Sequence, residues 1–176
     1  MIEPSLLLLD EPFAHLDYKV KQRLLRELRR IQRGTGATVV YVTHDQEEAM
    51  SVSHKIAIMR TGRVIQVGRP EEVYKNPANT FVATFFGDAN IIPHGSNRSS
   101  RYLVVRPENV RLAEPGKGKL AGRVSDVVFM GAYYRVEIEV DGFAVRALLP
   151  RATRPPSIGE IVSVDWDERN VKVVNE

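Results

Sequence analysis

Near residue 90 the hydrophobic pattern of this 176-residue chain changes period, and that change calls for two folds rather than one. Upstream of it, short apolar runs alternate with stretches of helical spacing. Residues 6–9 are four leucines, Val20, Leu24, Leu25, Leu28 and Ile31 fall on one face of an expected helix, and residues 37–42 are largely apolar again. Runs that are apolar on both pleat faces suit parallel strands covered by helices on both sides, so this part reads as α/β. A short helix over 45–53, a hairpin pairing 55–59 with 63–67 around Thr61-Gly62, and closing helices over 70–74 and 78–86 complete it.

Downstream the helical period vanishes. Residues 88–101 are polar, contain Pro93, Gly95, Ser96, Asn97, Ser99 and Ser100, and have the composition of a linker. Six short strands are expected beyond it, over 102–106, 121–129, 134–140, 143–149, 161–165 and 171–174, with Asp141-Gly142 as a hairpin turn. A run of short strands this dense favours a small closed barrel of the oligonucleotide/oligosaccharide-binding type, because closure removes exposed edges. The expected organisation is an α/β domain over residues 1–90, a linker over 91–101 and an all-β barrel over 102–176.

Composition narrows the chemistry. The chain has no cysteine, so disulfide frameworks, thiolate metal sites and thiol catalysis drop out. No apolar stretch approaches the roughly 20 residues of a spanning helix, and the leucine run is too short for a signal peptide and ends in Asp10-Glu11, so a cytosolic place is expected. Net charge is +3, but Lys19, Lys21, Arg23, Arg26, Arg29, Arg30 and Arg33 stand against Glu27 alone. That cluster reads as a solvated helix face, with a phosphate or nucleic-acid contact as the alternative.

The string Leu6-Leu7-Leu8-Leu9-Asp10-Glu11 delivers two adjacent carboxylates to the C-terminal edge of a buried strand, where open α/β sheets place their ligands. In nucleotide hydrolases the first such acid holds Mg²⁺ and the second polarises a water for attack on the γ-phosphate. The dipeptide alone could equally begin a turn before Pro12. It is not alone, because the second apolar strand ends in Val42-Thr43-His44-Asp45, where a histidine can donate to a phosphate oxygen and Thr43 or Asp45 can cap the following helix.

These residues, with Ala14-His15-Leu16-Asp17 and Thr43-His44-Asp45-Gln46-Glu47-Glu48-Ala49-Met50, resemble the Walker B motif, D-loop and H-loop of ABC ATPases. Residues 62–70 and 76–83 resemble the continuation found in importers of the maltose, polyamine and ferric-iron group. Val105-Arg106-Pro107-Glu108-Asn109-Val110, Gly122-Arg123-Val124, Phe129-Met130-Gly131 and Val164-Asp165-Trp166-Asp167 resemble the accessory TOBE barrel of those subunits. The resemblance implies part of a P-loop NTPase domain of the ABC type followed by an OB-like TOBE barrel. It implies ATP and Mg²⁺ as cofactors of the complete domain, Asp10 as the Mg²⁺ residue through water, Glu11 as catalytic base, His44 at the γ-phosphate and Asp17 in communication across an ATPase dimer. The implied partners are a second ATPase subunit, membrane-spanning permease subunits and, indirectly, an extracytoplasmic solute-binding protein. No nucleic acid is expected, and the implied location is the inner face of the cell membrane, held there by the permease.

The 176 residues contain no G-x-x-x-x-G-K-S/T loop and no Leu-Ser-Gly-Gly-Gln signature, both of which precede Walker B in the family, so the chain is expected to be inactive alone. Met1 stands where the family would be leaving its signature helix. Two other functions stay open beside the ATPase: a regulatory ligand-binding module on a remnant ATPase platform, and a basic nucleic-acid-binding barrel. The latter would need aromatic and basic residues interleaved along its strands, whereas Tyr102, Phe129, Phe143 and Trp166 stand mainly at positions a core would use.

Overall fold

The structure, a computed structural model, describes residues 5–95 and 101–176. The chain divides into two compact units, Met1–Val73 and Tyr74–Glu176. The first begins with β1 (Leu6–Asp10), α1 (Tyr18–Thr35), β2 (Thr38–Val42) and α2 (Gln46–Val52), followed by the hairpin β3 (Ile56–Arg60) and β4 (Arg63–Gly68) and the start of α3 (Pro70–Lys75). β1 and β2 run parallel, and α1 is the crossover that two parallel strands require. Only one face of this two-stranded sheet is covered. Leu6, Leu8, Val40 and Val42 lie exposed on the other, Leu8 at 68%, where the sequence pattern calls for helices on both sides. On α1, Leu25 is buried while Val20 and Ile31 are exposed, so the expected apolar face is only partly used.

The second unit contains α4 (Thr80–Phe85), β5 (Asn90–Pro93), β6 (Arg101–Val105), a 3-10 turn (Pro107–Asn109), β7 (Val110–Ala113), β8 (Leu120–Phe129), β9 (Tyr133–Val140), β10 (Phe143–Pro150), β11 (Ile161–Trp166), a second 3-10 turn (Glu168–Asn170) and β12 (Val171–Asn175). The six expected strands are all present, and β5 and β7 are additional. β5 occupies the start of the expected linker, and residues 96–100 of that stretch lie outside the described residues. The β9–β10 turn forms as read: Asp141 and Gly142 take φ of 45° and 87°, the paired left-handed conformation that a two-residue hairpin needs. Gly122 on β8 answers to a different constraint, since a Cβ there would lie 2.5 Å from the carbonyl oxygen of Glu139 on β9.

The expected closed barrel is not what forms. The strands make a five-stranded antiparallel sheet in the order β10-β9-β8-β11-β7 and a three-stranded sheet in the order β12-β6-β5, and no ladder joins β7 to β10. The two sheets share one core, in which Ile92 and Val105 join Val124, Val136, Ile138, Val145, Val164 and Trp166. Closure fails at β10 because a side chain takes the place of a strand. The buried Asn90 amide donates to Arg146 O at 2.8 Å and accepts from Arg146 N at 2.7 Å, satisfying the edge backbone as a neighbouring strand would. Of the aromatics assigned to the core, Trp166 is buried and Tyr102 and Phe143 are half-buried, but Phe129 is 55% exposed and rests its ring on Tyr134 at 5.2 Å.

Arg106 explains why the second unit begins at Tyr74 rather than in the polar stretch. It is buried, and its guanidinium donates to the carbonyls of Ala83 (2.9 Å), Asp88 (2.8 Å) and Tyr74 (2.8 Å) while lying 3.9 Å from the centre of the Tyr74 ring. Burial pulls its pKa down, Tyr74 and the nearby carboxylates of Glu108 and Asp88 work against that shift, and the carbonyls satisfy its N–H groups. A fragment of residues 74–176 is therefore expected to melt cooperatively, whereas residues 102–176, which lose β5 and all three carbonyl partners, should melt on the order of 10 °C lower or not fold. Circular dichroism melts of the two fragments check this, and equal melting temperatures would remove Arg106 from its organising role.

Candidate functional site

The parallel ladder fixes the site. β1 and β2 pair from Leu6 with Thr38 to Asp10 with Val42, and the amide of Glu11 then donates to Val42 O at 2.9 Å. Both strands thus end side by side, one delivering Asp10 and Glu11, the other Thr43 and His44. Glu11 takes a φ of 42°, a left-handed backbone that costs a residue bearing a Cβ about 1–2 kcal/mol. The chain turns sharply there, with Ala14 N donating to Glu11 O at 3.1 Å. The result is a contact between the two side chains: His44 Nδ1 lies 3.1 Å from Glu11 Oε1, both being open to solvent. Asp10 is exposed at the last position of β1. Asp17 is used differently, as the N-cap of α1, where its Oδ1 accepts from the amides of Lys19 and Val20 at 3.0 and 3.1 Å.

Behind His44 lies a charged cluster that sequence reasoning did not find. Glu48 on α2 is only 3% exposed. Its carboxylate accepts from Tyr41 Oη at 2.7 Å, from Thr43 Oγ1 at 2.8 Å and from Lys21 Nζ of α1 at 2.8 Å. Lys21 also pairs with Asp45 at 2.9 Å, and Asp45 caps α2 by accepting from the amides of Glu47 and Glu48. Burial pushes the Glu48 carboxyl up, but the bonds from Lys21, Tyr41 and Thr43 outweigh it and hold the group below the usual glutamate range. Asp45 is lowered in the same way, with burial opposed by Lys21 and the α2 amides, while its bonds to Glu48 and Asp45 hold the Lys21 ammonium well above its ordinary value. Lys21 thereby departs from the solvated face expected for the basic residues of α1. A signal was present nonetheless: Asp45-x-x-Glu48 has capping-box spacing, which marks Glu48 as a side chain turned back toward the strand end.

Glu11, Ala14, His15, Lys21, Thr43, His44 and Glu48 line a pocket of about 110 Å³. That is well below the roughly 300–1,000 Å³ of pockets that enclose a drug-sized ligand. Among the described residues no three His, Asp or Glu side chains cluster to make a metal cage. Asp10 still suits Mg²⁺, which keeps several waters and is commonly held by one or two carboxylates together with substrate phosphates.

Comparison with known proteins places the chain among relatives. The TOBE domain family matches residues 103–174, and an AAA-domain family whose description also names AbiEii toxin and a type IV TA system matches residues 1–51. The spermidine/putrescine import ATP-binding protein PotA of Borreliella afzelii (strain PKo) is 36% identical over 197 aligned residues, which take in 100% of this chain and 56% of that protein. PotA of Bacillus thuringiensis (strain Al Hakam) is 38% identical over 180 residues, 98% of this chain and 54% of the relative. This chain is a relative of ABC-importer ATP-binding subunits that carry a TOBE domain. It spans about half the length of the curated relatives it matches. Among solved structures, the cytoplasmic molybdate-binding protein ModG with molybdate bound aligns at a TM-score of 0.39 and 17% identity, covering 43% of this chain and 62% of that one. Among the described residues no helix is long and apolar enough to cross a membrane.

The cluster behind His44 gives this ABC relative a defined pH response. Glu48 and Asp45 have folded-state pKa values below their ordinary 4.5 and 3.8, so their stabilisation is complete above about pH 4.5 and is lost as pH falls through the lowered values. Lys21 is raised from 10.5, so its share is complete below that pH and is lost only as pH climbs through the raised value. Glu48→Gln should therefore melt on the order of 5–10 °C below the parent at neutral pH, and the gap should narrow as pH falls below the ordinary 4.5 and through the lowered Glu48 value. Paired thermal melts across that range check the sign, and a gap that widens in acid would contradict it.

Proposed function

We propose that this chain supplies the hydrolytic edge and the TOBE domain of an ATP-hydrolysing subunit that energises solute import. The observation that carries the reading is the 3.1 Å contact between Glu11 and His44 at the common end of two parallel strands. Glu11 accepts the proton of the attacking water, a role that its open position and its turn out of β1 allow. His44, which meets that carboxylate in the free chain, exchanges this contact on ATP binding for one in which it donates to a γ-phosphate oxygen, and so sets the water and the phosphoryl group on a common line. Asp10 would hold Mg²⁺ through water, and the ion would supply neutralisation of the β- and γ-phosphate charge. Asp17, by capping α1, fixes the first turn of the helix at the surface facing a second ATPase subunit.

On this reading the catalytic assembly is larger than the chain. Binding of the β- and γ-phosphates by backbone amides and a lysine needs a Walker A loop, which the 176 residues do not contain, and the exposed apolar face of β1 and β2 is the surface on which such a segment packs. The partners are that phosphate-binding segment, a second ATPase subunit and membrane-spanning permease subunits, with a solute-binding protein acting through the permease on the far side. This places the subunit at the inner face of the membrane.

Two measurements test the proposal. Calorimetry of the 176-residue chain with Mg-ATP is expected to show no binding in the micromolar range, because Asp10 and Glu11 add negative charge where the triphosphate must lie. Joined to the phosphate-binding half of the Bacillus thuringiensis relative, the chain is expected to hydrolyse ATP, and Glu11→Gln should lower turnover on the order of 10²-fold or more while leaving ATP binding in place. A Glu11→Gln chimera as fast as its parent would end the catalytic assignment.

A further inference from the structure

Within the described residues Glu11 is the hydrogen-bond partner of the His44 side chain, and both are largely open to water, so their own contact is too weak to hold the imidazole in one direction. The order comes from its neighbours. Tyr41, Thr43 and Asp45 are spaced by two along the chain, and all three are tied to the ion pair between buried Glu48 and partly buried Lys21. Tyr41 and Thr43 donate to Glu48, Asp45 pairs with Lys21, and Lys21 closes the circuit on Glu48. Asp45 N also donates to Thr43 Oγ1 at 2.9 Å. The residues immediately before and after His44 are thus pinned from one side, which leaves His44 to project the opposite way, toward Glu11.

We propose that Glu48, clamped by Lys21, is the positioning residue of this site: it anchors Thr43 and Asp45 and so sets the His44 imidazole against the Glu11 carboxylate. This deepens the assignment of Glu11 and His44 given above and rests on it. The arrangement suits a positioning role because its central charge, Glu48, is buried while Glu11 and His44 are exposed. A buried carboxylate with three donors has a single low-energy arrangement, whereas an exposed histidine on an unanchored loop samples many. Glu48 contributes through the order it imposes on the chain on either side of His44, without touching the reacting groups.

The test reads the position of His44 in the full 176-residue chain with no nucleotide present. In isotope-labelled protein, cross-peaks between the His44 ring protons and the Glu11 side chain are expected, together with cross-strand peaks between Leu8 and Val40 that report the β1–β2 ladder. Lys21→Met should abolish the His44–Glu11 peaks and spare the Leu8–Val40 peaks. Persistence of both sets would overturn the proposal, and so would absence of the His44–Glu11 peaks from the parent. If Lys21→Met also loses the ladder peaks, Thr43→Val decides: it is nearly isosteric and removes only the bonds to Glu48 and from Asp45 N. Loss of the His44–Glu11 peaks with the ladder intact sustains the positioning role, and their retention refutes it. Because no ATP enters this measurement, its outcome is separate from that of the chimera assay, which alone decides whether Glu11 and His44 act in hydrolysis.

Discussion

The last rung of the parallel ladder, Glu11 N to Val42 O at 2.9 Å, is the bond on which the candidate site depends. It continues the register in which Asp10 lies opposite Val42, so the two strands end together and the residues that follow them emerge at one edge. Parallel pairing makes this possible, since both chains then run in the same direction and both C-terminal ends lie on the same side. An antiparallel pair would put one of the two segments at the far end of the sheet. The left-handed turn at Glu11 is the local strain that accompanies this arrangement, and it turns the carboxylate out of the strand at the point where His44 can reach it.

Two buried charges organise the two units in different ways. In the first, Glu48 is matched by a cation and two hydroxyls, so its charge is retained and the strand end beside it is fixed. In the second, Arg106 is satisfied by carbonyl oxygens and an aromatic face. Carbonyls come from backbone, so Arg106 draws three separated segments of main chain, at Tyr74, Ala83 and Asp88, around a single side chain. A buried charge left without such partners costs several kcal/mol, which is why each of these two residues dictates its surroundings.

Much of the fold was legible from period alone. The six downstream strands, the Asp141-Gly142 turn, α1 and the parallel strands on either side of it all follow from alternation, helical spacing and turn chemistry, which are local properties. β5 was hidden because Asn90-Ile91-Ile92-Pro93 is short and lies in a polar setting, and it is a strand only because β6 pairs with it. The exposure of Phe129 was equally out of reach, because a position in a strand fixes the side of the sheet and not whether another layer covers it.

For the site, the sequence by itself determined the chemistry on offer: two adjacent carboxylates after one apolar strand, a histidine after the next, and an aspartate six residues beyond Glu11 that could cap a helix. Tertiary structure decided which of these meet. It put Glu11 against His44, committed Asp17 to the N-cap of α1, and drew Lys21 out of a row of solvated basic residues into an ion pair with the buried Glu48. It also replaced barrel closure with a side-chain amide from Asn90 on the edge of β10. The physical reason is common to all of these. Period, caps and turns are set by neighbours within a few residues, whereas an ion pair between residues 21 and 48, or an amide of residue 90 on the backbone of residue 146, exists only once long-range packing has removed the water that would otherwise satisfy both partners.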